Sequence, residues 1–262
     1  MTRIIHAELI RLLRRRTVVA AAVGALLFSV VSSLTVLSSA ADNVVASRQG
    51  GTTLAAVEGA GGGTEAFAVG ASFVGFLVFV VFIALIAGDL SGGTFRATLL
   101  REPHRLRVIV GKLAGILLVA AGVVALAEVA TFALSLLVAP GQDISTSQWF
   151  TLGSVGDAVT DFATVFAGVA GWAVFGTTLA VIFRSVPVAL GVGFAWAGPF
   201  ENIVVDSWKT GYEVFPGQVL GSMIRGGTVE LGLGRALLTA AIYSAVAAGT
   251  ALVLLARRDV TA

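Results

Sequence analysis

The sequence contains no cysteine and only two lysines. Without cysteine the chain has no disulfide, no thiolate-bound zinc, no iron–sulfur cluster and no cysteine nucleophile. A nucleotide-binding P-loop ends in Gly-Lys-Ser or Gly-Lys-Thr, which brings the lysine to the phosphates. Lys112 is followed by Leu113 and Lys209 is preceded by Trp208, so neither lysine belongs to such a motif. Any ATP that this protein uses is therefore hydrolysed by another chain.

Histidine is also scarce, and the two histidines, His6 and His104, lie outside the long apolar segments. This placement argues against a histidine-bound metal in a membrane and against an intramembrane Ser–His hydrolase. No other arrangement of residues favours an enzyme. We therefore expect no catalytic residue, no metal ligand and no cofactor in this chain.

Charged residues make up only 12% of the 262 residues, whereas hydrophobic residues make up 57% and the mean hydropathy is +0.96. A typical soluble domain has about 25% charged residues. A soluble fold of this size could not cover its surface with so few charges. The basic residues flank apolar runs, which indicates a lipid bilayer as the partner and not nucleic acid.

Six apolar runs are each long enough to cross a hydrocarbon core of ~30 Å at ~1.5 Å per residue. They cover residues 17–40, 67–87, 113–139, 158–183, 186–205 and 236–256. The sequence therefore predicts an all-α integral membrane protein with one transmembrane domain over residues 1–262 and six transmembrane helices.

Basic residues predict the orientation, because cytoplasmic loops are enriched in Lys and Arg. With the N-terminus in the cytoplasm, the inner side receives Arg3, Arg11, Arg14, Arg15, Arg16, Arg96, Arg101, Arg105, Arg107, Lys112, Arg184, Arg257 and Arg258. The outer side keeps Arg48, Lys209, Arg225 and Arg235. Both termini are therefore predicted to be cytoplasmic.

Residues 1–16 have the pattern of an amphipathic interfacial helix that leads directly into the first span. Its apolar face is predicted to carry Ile5, Leu9 and Leu13, and its other faces Glu8, Arg11 and Arg15. The alternative is a cleaved twin-arginine signal built on residues 14–16 and 38–40. The apolar run is longer than the usual ~7–15 residues of a signal core, which favours a retained span.

Three further segments complete the prediction. Residues 41–66 form a Gly-rich outer loop, and residues 206–235 form a longer outer segment that is re-entrant or lies on the surface. The cytoplasmic loop 88–112 has a Gly pair that ends the second span. Thr94 is predicted to cap a short helix that runs to about Leu100, with Phe95, Leu99 and Leu100 on its apolar side, and Pro103 to end it.

This loop resembles the cytoplasmic loop of ABC-2 type transporter permeases, in which an acidic residue, Gly-Thr, a basic residue, Pro, Arg and Gly-Lys recur. The corresponding residues here are Asp89, Gly93, Thr94, Arg96, Pro103, Arg105, Gly111 and Lys112. Residues 6–16 are similar to the connecting helix of that family. Residues 199–203 and 215–217 resemble the end of its fifth span and its outer re-entrant region.

The resemblance implies the membrane-spanning subunit of a bacterial ABC exporter in the plasma membrane. Such a permease dimerises with a second copy or a related permease, and it binds separate cytoplasmic ABC ATPase subunits through a coupling helix in the loop 88–112. ATP and magnesium would lie on those subunits. The residues implied in coupling are Asp89, Gly93, Thr94, Phe95, Arg96, Leu99, Pro103, Arg105 and Lys112, with Glu8, Arg11 and Arg15 on the connecting helix.

Three acidic residues lie in predicted spans: Glu128, Glu201 and, nearer the outer boundary, Asp161. A charge at the centre of a span costs ~2.5–3.5 kcal/mol on insertion scales, so such residues face a partner or a cavity. They either line the transport pathway or hold helices together, and the sequence leaves both interpretations open.

Small residues recur every four positions in span one (Ala21, Ala25, Ser29, Ser33) and span five (Ala189, Gly193, Ala197). This spacing permits close helix crossing and predicts a subunit interface at these two spans.

Two other function classes remain open. One is a membrane-embedded enzyme that modifies lipids with an intramembrane carboxylate as acid or base. The other is an adaptor or sensor subunit that docks a cytoplasmic partner without transport.

Overall fold

The computed structural model describes residues 2–41 and 52–257. Within these ranges the regular secondary structure is helical, apart from one isolated β-bridge between Gly227 and Gly232. Six helices are long and apolar enough to cross a membrane, which confirms the predicted all-helical architecture with six candidate spans. Part of the predicted outer loop (residues 42–51), together with Arg48 and Arg258, lies outside the described residues.

The helices follow one another along the chain with short connections. They are α1 (Thr2–Leu12), α2 (Arg15–Ala41), α3 (Leu54–Glu58), α4 (Gly62–Ser91), α5 (Thr94–Leu99), α6 (Arg105–Val138), a 3₁₀ turn (Ala139–Gln142), α7 (Leu152–Phe183), α8 (Val186–Ala195), a π-helical segment (Trp196–Phe200), α9 (Glu201–Ser207), α10 (Gly211–Val214), α11 (Pro216–Ile224) and α12 (Leu233–Arg257). The fifth span is α8, the π-helical segment and α9 together.

The two ends of the bundle carry different short helices. Helices α1 and α5 contact the ends of α4 and α6 at one end, which we call the proximal end. Helices α3, α10 and α11 lie towards the opposite end, which we call the distal end.

The long helices continue past the apolar runs that predict them. Helix α4 runs to Ser91, whereas hydropathy places the end of the second span at residue 87. Helix α6 begins at Arg105, eight residues before the predicted start of the third span at 113. Hydropathy marks the lipid-buried part of a helix, and the helix itself continues for as long as its backbone hydrogen bonds do. Asp89 and Lys112 are therefore helical residues and do not belong to a loop.

Helix α1 differs from its prediction in length and in orientation. It ends at Leu12, and Leu13 and Arg14 separate it from α2, so it does not lead directly into the first span. The residues of α1 that are buried against the bundle are Glu8 and Leu12, whereas Ile5 and Leu9 of the predicted apolar face are partly buried and Leu13 lies beyond the helix and is exposed. Glu8 points into the bundle because its basic partner Lys112 lies there. The two residues are far apart in the sequence, so amphipathic periodicity does not predict this contact.

The centre of the bundle is the pair α4 and α7, which cross closely at Gly176. A Cβ atom there would lie 3.1 Å from the backbone oxygen of Phe79. Helix α11 packs on the distal half of α7, where the Cα atoms of Gly168 and Gly171 face Ile224 and Leu220. The segment 206–235 is thus partly integrated into the bundle through α11.

The small-residue stripe of span one is used inside the chain. The Ser29 hydroxyl donates to the Ala127 oxygen at 3.1 Å, and Ser33 donates to the Thr131 oxygen at 3.2 Å, so this face packs on α6. The prediction that the stripe forms a subunit interface is wrong, because close packing within one chain needs the same small residues as packing between chains.

The stripe of span five is likewise covered by the chain itself. Ala189 is fully buried, and a Cβ atom on Gly193 would lie 2.6 Å from Cε1 of Phe79 on α4. The π-helical segment follows directly, and it contains Pro199, which has no backbone N–H to donate.

Candidate functional site

Four charged side chains from three helices converge at the proximal end. Glu8 and Arg11 come from α1, Asp89 from the last turn of α4 and Lys112 from α6. The Lys112 ammonium lies 2.8 Å from Asp89 Oδ2 and 3.0 Å from Glu8 Oε2. Arg11 Nη1 lies 2.9 Å from Asp89 Oδ2 and 3.3 Å from Glu8 Oε1. We call these four residues the charge cluster.

The charge cluster is electrically balanced and largely removed from solvent. Lys112, Glu8 and Asp89 have side-chain exposures of 5%, 6% and 7%, and Arg11 is more open. The hydrogen bond and the charge of Asp89 raise the pKa of Arg11, together with the charge of Glu8. Each buried charge has an oppositely charged partner within hydrogen-bond distance, which buried ions require.

Helix α1 approaches α6 closely enough for these contacts because α6 has glycines on the facing side. A Cβ atom on Gly111 would lie 3.0 Å from Ile4 Cγ2, and one on Gly115 would lie 2.9 Å from Glu8 Cβ. The Gly-Lys pair of the resemblance thus has two structural roles. Gly111 allows α1 to approach α6 closely, and Lys112 forms an ion pair with Glu8 of α1. Gly115 was not predicted, and its spacing of four residues from Gly111 is the signal that could have identified it.

The turn between α4 and α5 depends on Gly93, whose φ of +76° lies in the left-handed region. Gly93 is also the residue that precedes α5, and Thr94 is the first residue of that helix. The prediction that the Thr94 side chain caps α5 is therefore wrong, since no side-chain capping hydrogen bond forms there. The left-handed conformation at the cap position favours glycine, which has no Cβ atom. Gly93 therefore takes the cap position, and Thr94 lies one residue later, inside the helix.

Helix α5 is attached by one side and open on the other. Phe95 is 1% exposed, and Leu99 packs against the same apolar core. Leu100, predicted to lie on the apolar side, is 90% exposed. Helix α5 ends at Leu99, four residues before Pro103, so Pro103 does not end it.

The remaining predicted coupling residues are spread around this end of the bundle. Arg96 and Pro103 are exposed, and Arg15 is exposed at the start of α2, outside the charge cluster. Arg105 donates from Nη1 to the backbone oxygen of Leu255 at 3.3 Å, which joins α6 to α12. The His104 hydrogen bond at 2.8 Å lowers the pKa of Glu102 below its ordinary value, and Arg107 lowers it further.

The three acids of the spans lie apart from the charge cluster and do not form one site. The Thr64 hydroxyl donates to Asp161 Oδ2 at 2.6 Å, and Asp161 is near enough to Glu128 for charge repulsion. Glu201 is fully buried in the fifth span and accepts a hydrogen bond from the backbone N–H of Gly217 at 3.3 Å.

A polar cavity of about 300 Å³ lies at the distal end, between α4, α7, α9 and α11. Phe73, Trp172 and Asn202 line it, together with Arg225 and Glu230 of the distal segment. Burial lowers the pKa of Arg225, and the charges of nearby acids oppose that effect. In residues 2–41 and 52–257, no three His, Asp or Glu side chains converge as a metal site would require.

Sequence reasoning named the members of the charge cluster without grouping them. The sequence predicts Glu8 and Arg11 on the connecting helix and Asp89 and Lys112 in the loop, and only the tertiary structure brings the two pairs together. A short distance along the chain, Phe95 and Leu99 form the attached side of α5, and Gly93 forms the turn before it.

A family model described as "Protein of unknown function (DUF2705)" matches residues 17–261. The match includes Asp89 and Lys112 and begins after Glu8 and Arg11. No curated protein and no solved structure matches the chain. Since the matched residues are nearly the whole chain, the protein belongs to the DUF2705 family.

Proposed function

We propose that this protein is the membrane-spanning permease subunit of a bacterial ABC exporter, with its proximal end in the cytoplasm. In this proposal it resides in the plasma membrane and forms the translocation pathway with a second permease copy. Separate ABC ATPase subunits bind at α5. The protein itself hydrolyses no ATP.

The charge cluster is the observation that carries the proposal. Coupling requires that a force applied at the membrane surface reaches the spans. The charge cluster joins α1 to α4 and α6, the two spans that flank α5 in the chain. A partner that moves α1 would therefore move the ends of both spans, because displacing one member of the charge cluster alone would leave a buried charge unpaired.

The exposed side of α5, together with the residues that follow the helix, supplies the docking surface in this proposal. It presents Leu100, at 90% exposure, between the exposed basic residues Arg96 and Arg101. Interface cores are enriched in apolar and arginine side chains, whereas an ordinary solvated loop needs no such apolar residue. Phe95 anchors this surface to the bundle, so that load on it is transmitted to the spans.

The partner is tested by affinity purification from native membranes. The wild-type chain is expected to retain a P-loop ATPase, and Leu100→Asp with Arg101→Glu to lose it. Val229→Asp is the matched control, because Val229 is fully exposed at the distal end and should leave the complex intact. Purification of the wild-type chain without any ATPase would overturn the proposal.

The orientation is tested separately with introduced cysteines, which the absence of native cysteine permits. In intact cells a membrane-impermeant thiol reagent should label Val229→Cys and not Leu100→Cys. After permeabilisation both should be labelled. Labelling of Leu100→Cys in intact cells would place α5 outside the cell, where no ATPase could bind it.

An adaptor that binds the ATPase without transport gives a different result. Reconstitution of the complex in vesicles distinguishes a transporter from an adaptor, since only a transporter accumulates a substrate across the bilayer when ATP is added. A complex with ATPase activity and no vectorial movement of any substrate would favour the adaptor.

A further inference from the structure

A second cavity, of about 600 Å³, lies between α6 and α7 towards the distal end. Its volume is in the range of small-molecule sites, about 300–1,000 Å³. We call it the aromatic groove, because Phe132, Trp149, Phe150 and Phe162 form much of its wall. We propose that the aromatic groove binds an amphipathic organic cation, with Glu128 as its counter-ion.

The groove opens sideways on the bundle. Val129 of α6 and Val155 and Val159 of α7 line it, and each is more than 60% exposed on the outer surface of its helix. Both helices are candidate membrane spans and these valines lie towards their distal ends, so in this proposal the opening lies at the outer boundary of the bilayer. A ligand that partitions into the bilayer can therefore enter from the side, which selects for amphipathic molecules over fully hydrophilic ones.

Glu128 gives the groove its charge preference. It lies ten residues before the end of α6, about 15 Å along the helix axis from that end. In the part of the chain that the structure describes, its carboxyl group receives no hydrogen bond and forms no ion pair. A carboxylate at such depth faces a partner or a cavity. Glu128 faces the aromatic groove, and a bound cation would supply the missing partner.

The surroundings of Glu128 reinforce this preference. None of the residues that line the groove is Lys, Arg or His. The neighbouring carboxyl group of Asp161 adds negative charge and is held in place by the Thr64 hydroxyl. An anionic or zwitterionic headgroup would bring a negative charge close to both acids, so the site favours a cation without a compensating anion.

The aromatic walls fit the same class of ligand. Phe132 lies 6.2 Å from Trp149 and 6.0 Å from Phe150, measured between ring centroids, so the three rings form one continuous surface. The Trp149 indole N–H donates to the Val57 oxygen at 2.8 Å, which fixes the ring. Aromatic faces attract cations, and here the exposed ring of Phe150 and the partly exposed ring of Phe132 offer those faces, with the buried Trp149 behind them. A delocalised cation with aryl substituents would contact both the rings and the carboxylate.

Equilibrium dialysis of the purified chain in nanodiscs tests the site, with radiolabelled tetraphenylphosphonium as the cationic probe and tetraphenylborate as its anionic match in size and shape. No nucleotide and no ATPase are present, so the result does not depend on the proposed transport function. Saturable binding of tetraphenylphosphonium is expected, with at least tenfold stronger binding than tetraphenylborate.

Two variants locate the bound cation. Glu128→Gln keeps the shape of the side chain and removes its charge, and it should weaken binding at least tenfold. Glu230→Gln is the matched control, since Glu230 lines the polar cavity and should have no effect. If Glu128→Gln fails to fold, Val155→Trp enlarges a side chain that lines the groove while Glu128 stays in place, and it should abolish binding.

Three results would overturn the proposal. The first is the absence of saturable tetraphenylphosphonium binding, as expected if lipid acyl chains occupy the groove permanently. The second is binding that Glu128→Gln and Val155→Trp leave unchanged. The third is binding that Glu230→Gln abolishes, which would place the cation in the polar cavity.

Discussion

Lys112 and Asp89 form a direct ion pair of 2.8 Å between two spans, and both side chains are more than nine-tenths buried. The pair links the end of α4 to the start of α6, on either side of α5. Glu8 and Arg11 of α1 contact this pair and complete the charge cluster. The proximal end is therefore held by charge in a molecule that is otherwise largely apolar.

Replacing Lys112 by Met should destabilise the protein strongly. The change keeps an unbranched side chain that is one atom shorter, removes the ammonium group, and leaves two buried carboxylates to share Arg11. Removal of one partner from a buried ion pair costs about 3–5 kcal/mol. Denaturant titration in detergent micelles measures this loss. Lys209→Met is the control, since Lys209 is exposed, and equal stability of the two variants would contradict the role of the charge cluster.

Gly115→Val should push α1 away from α6. A Cβ atom at this position would lie 2.9 Å from Glu8 Cβ, and such overpacking costs about 1–3 kcal/mol. Release of α1 can be followed with Ile4→Cys, whose thiol should react faster with maleimide in the Gly115→Val background. Gly122→Val on the same helix has no neighbour within 4 Å and should leave the labelling rate unchanged. Similar rates in both backgrounds would show that α1 does not need this close approach.

Gly93→Ala should destabilise the turn before α5 by roughly 1–2 kcal/mol, because a Cβ atom is unfavourable in the left-handed conformation. Gly88→Ala provides a control of opposite sign. Gly88 is helical with open space around it, so alanine should stabilise α4 by about 0.5–1 kcal/mol. Thermal unfolding in detergent distinguishes the two variants, and a stabilised Gly93→Ala variant would contradict the conformation of the turn.

The segment after α5 should depend on pH through Glu102. Its pKa is lowered, chiefly by the hydrogen bond with His104, so the ordering that this contact gives is fully present above pH 4.5. That ordering should be lost as the pH falls through the lowered pKa of Glu102, because protonation weakens the contact. A spin label on Leu100→Cys should become more mobile over that range.

The control for this experiment is Glu102→Gln, which removes the titrating group. In this background the label should be equally mobile at every pH below 6. A label whose mobility follows the same pH curve in both backgrounds would assign the change to another group.

Composition and hydropathy were sufficient to predict the number of spans, because lipid exposure requires a long apolar run for each crossing helix. The six runs correspond to six long helices. The helix ends were less accessible to prediction: Asp89 and Lys112 are polar, so hydropathy assigned them to a loop, whereas backbone hydrogen bonding carries both helices past the apolar segment.

The sequence by itself determined that this is an all-helical chain with six membrane-length helices and no P-loop, since these properties depend on composition and on neighbouring residues. Only the tertiary structure decided that Glu8 points inwards, that the stripe through Ser29 packs within the chain, and that Glu128 faces an aromatic groove. Each of these depends on a partner far away along the chain. A charged side chain is buried at low cost only where an opposite charge lies beside it. The periodicity of the local sequence does not show where such a partner lies.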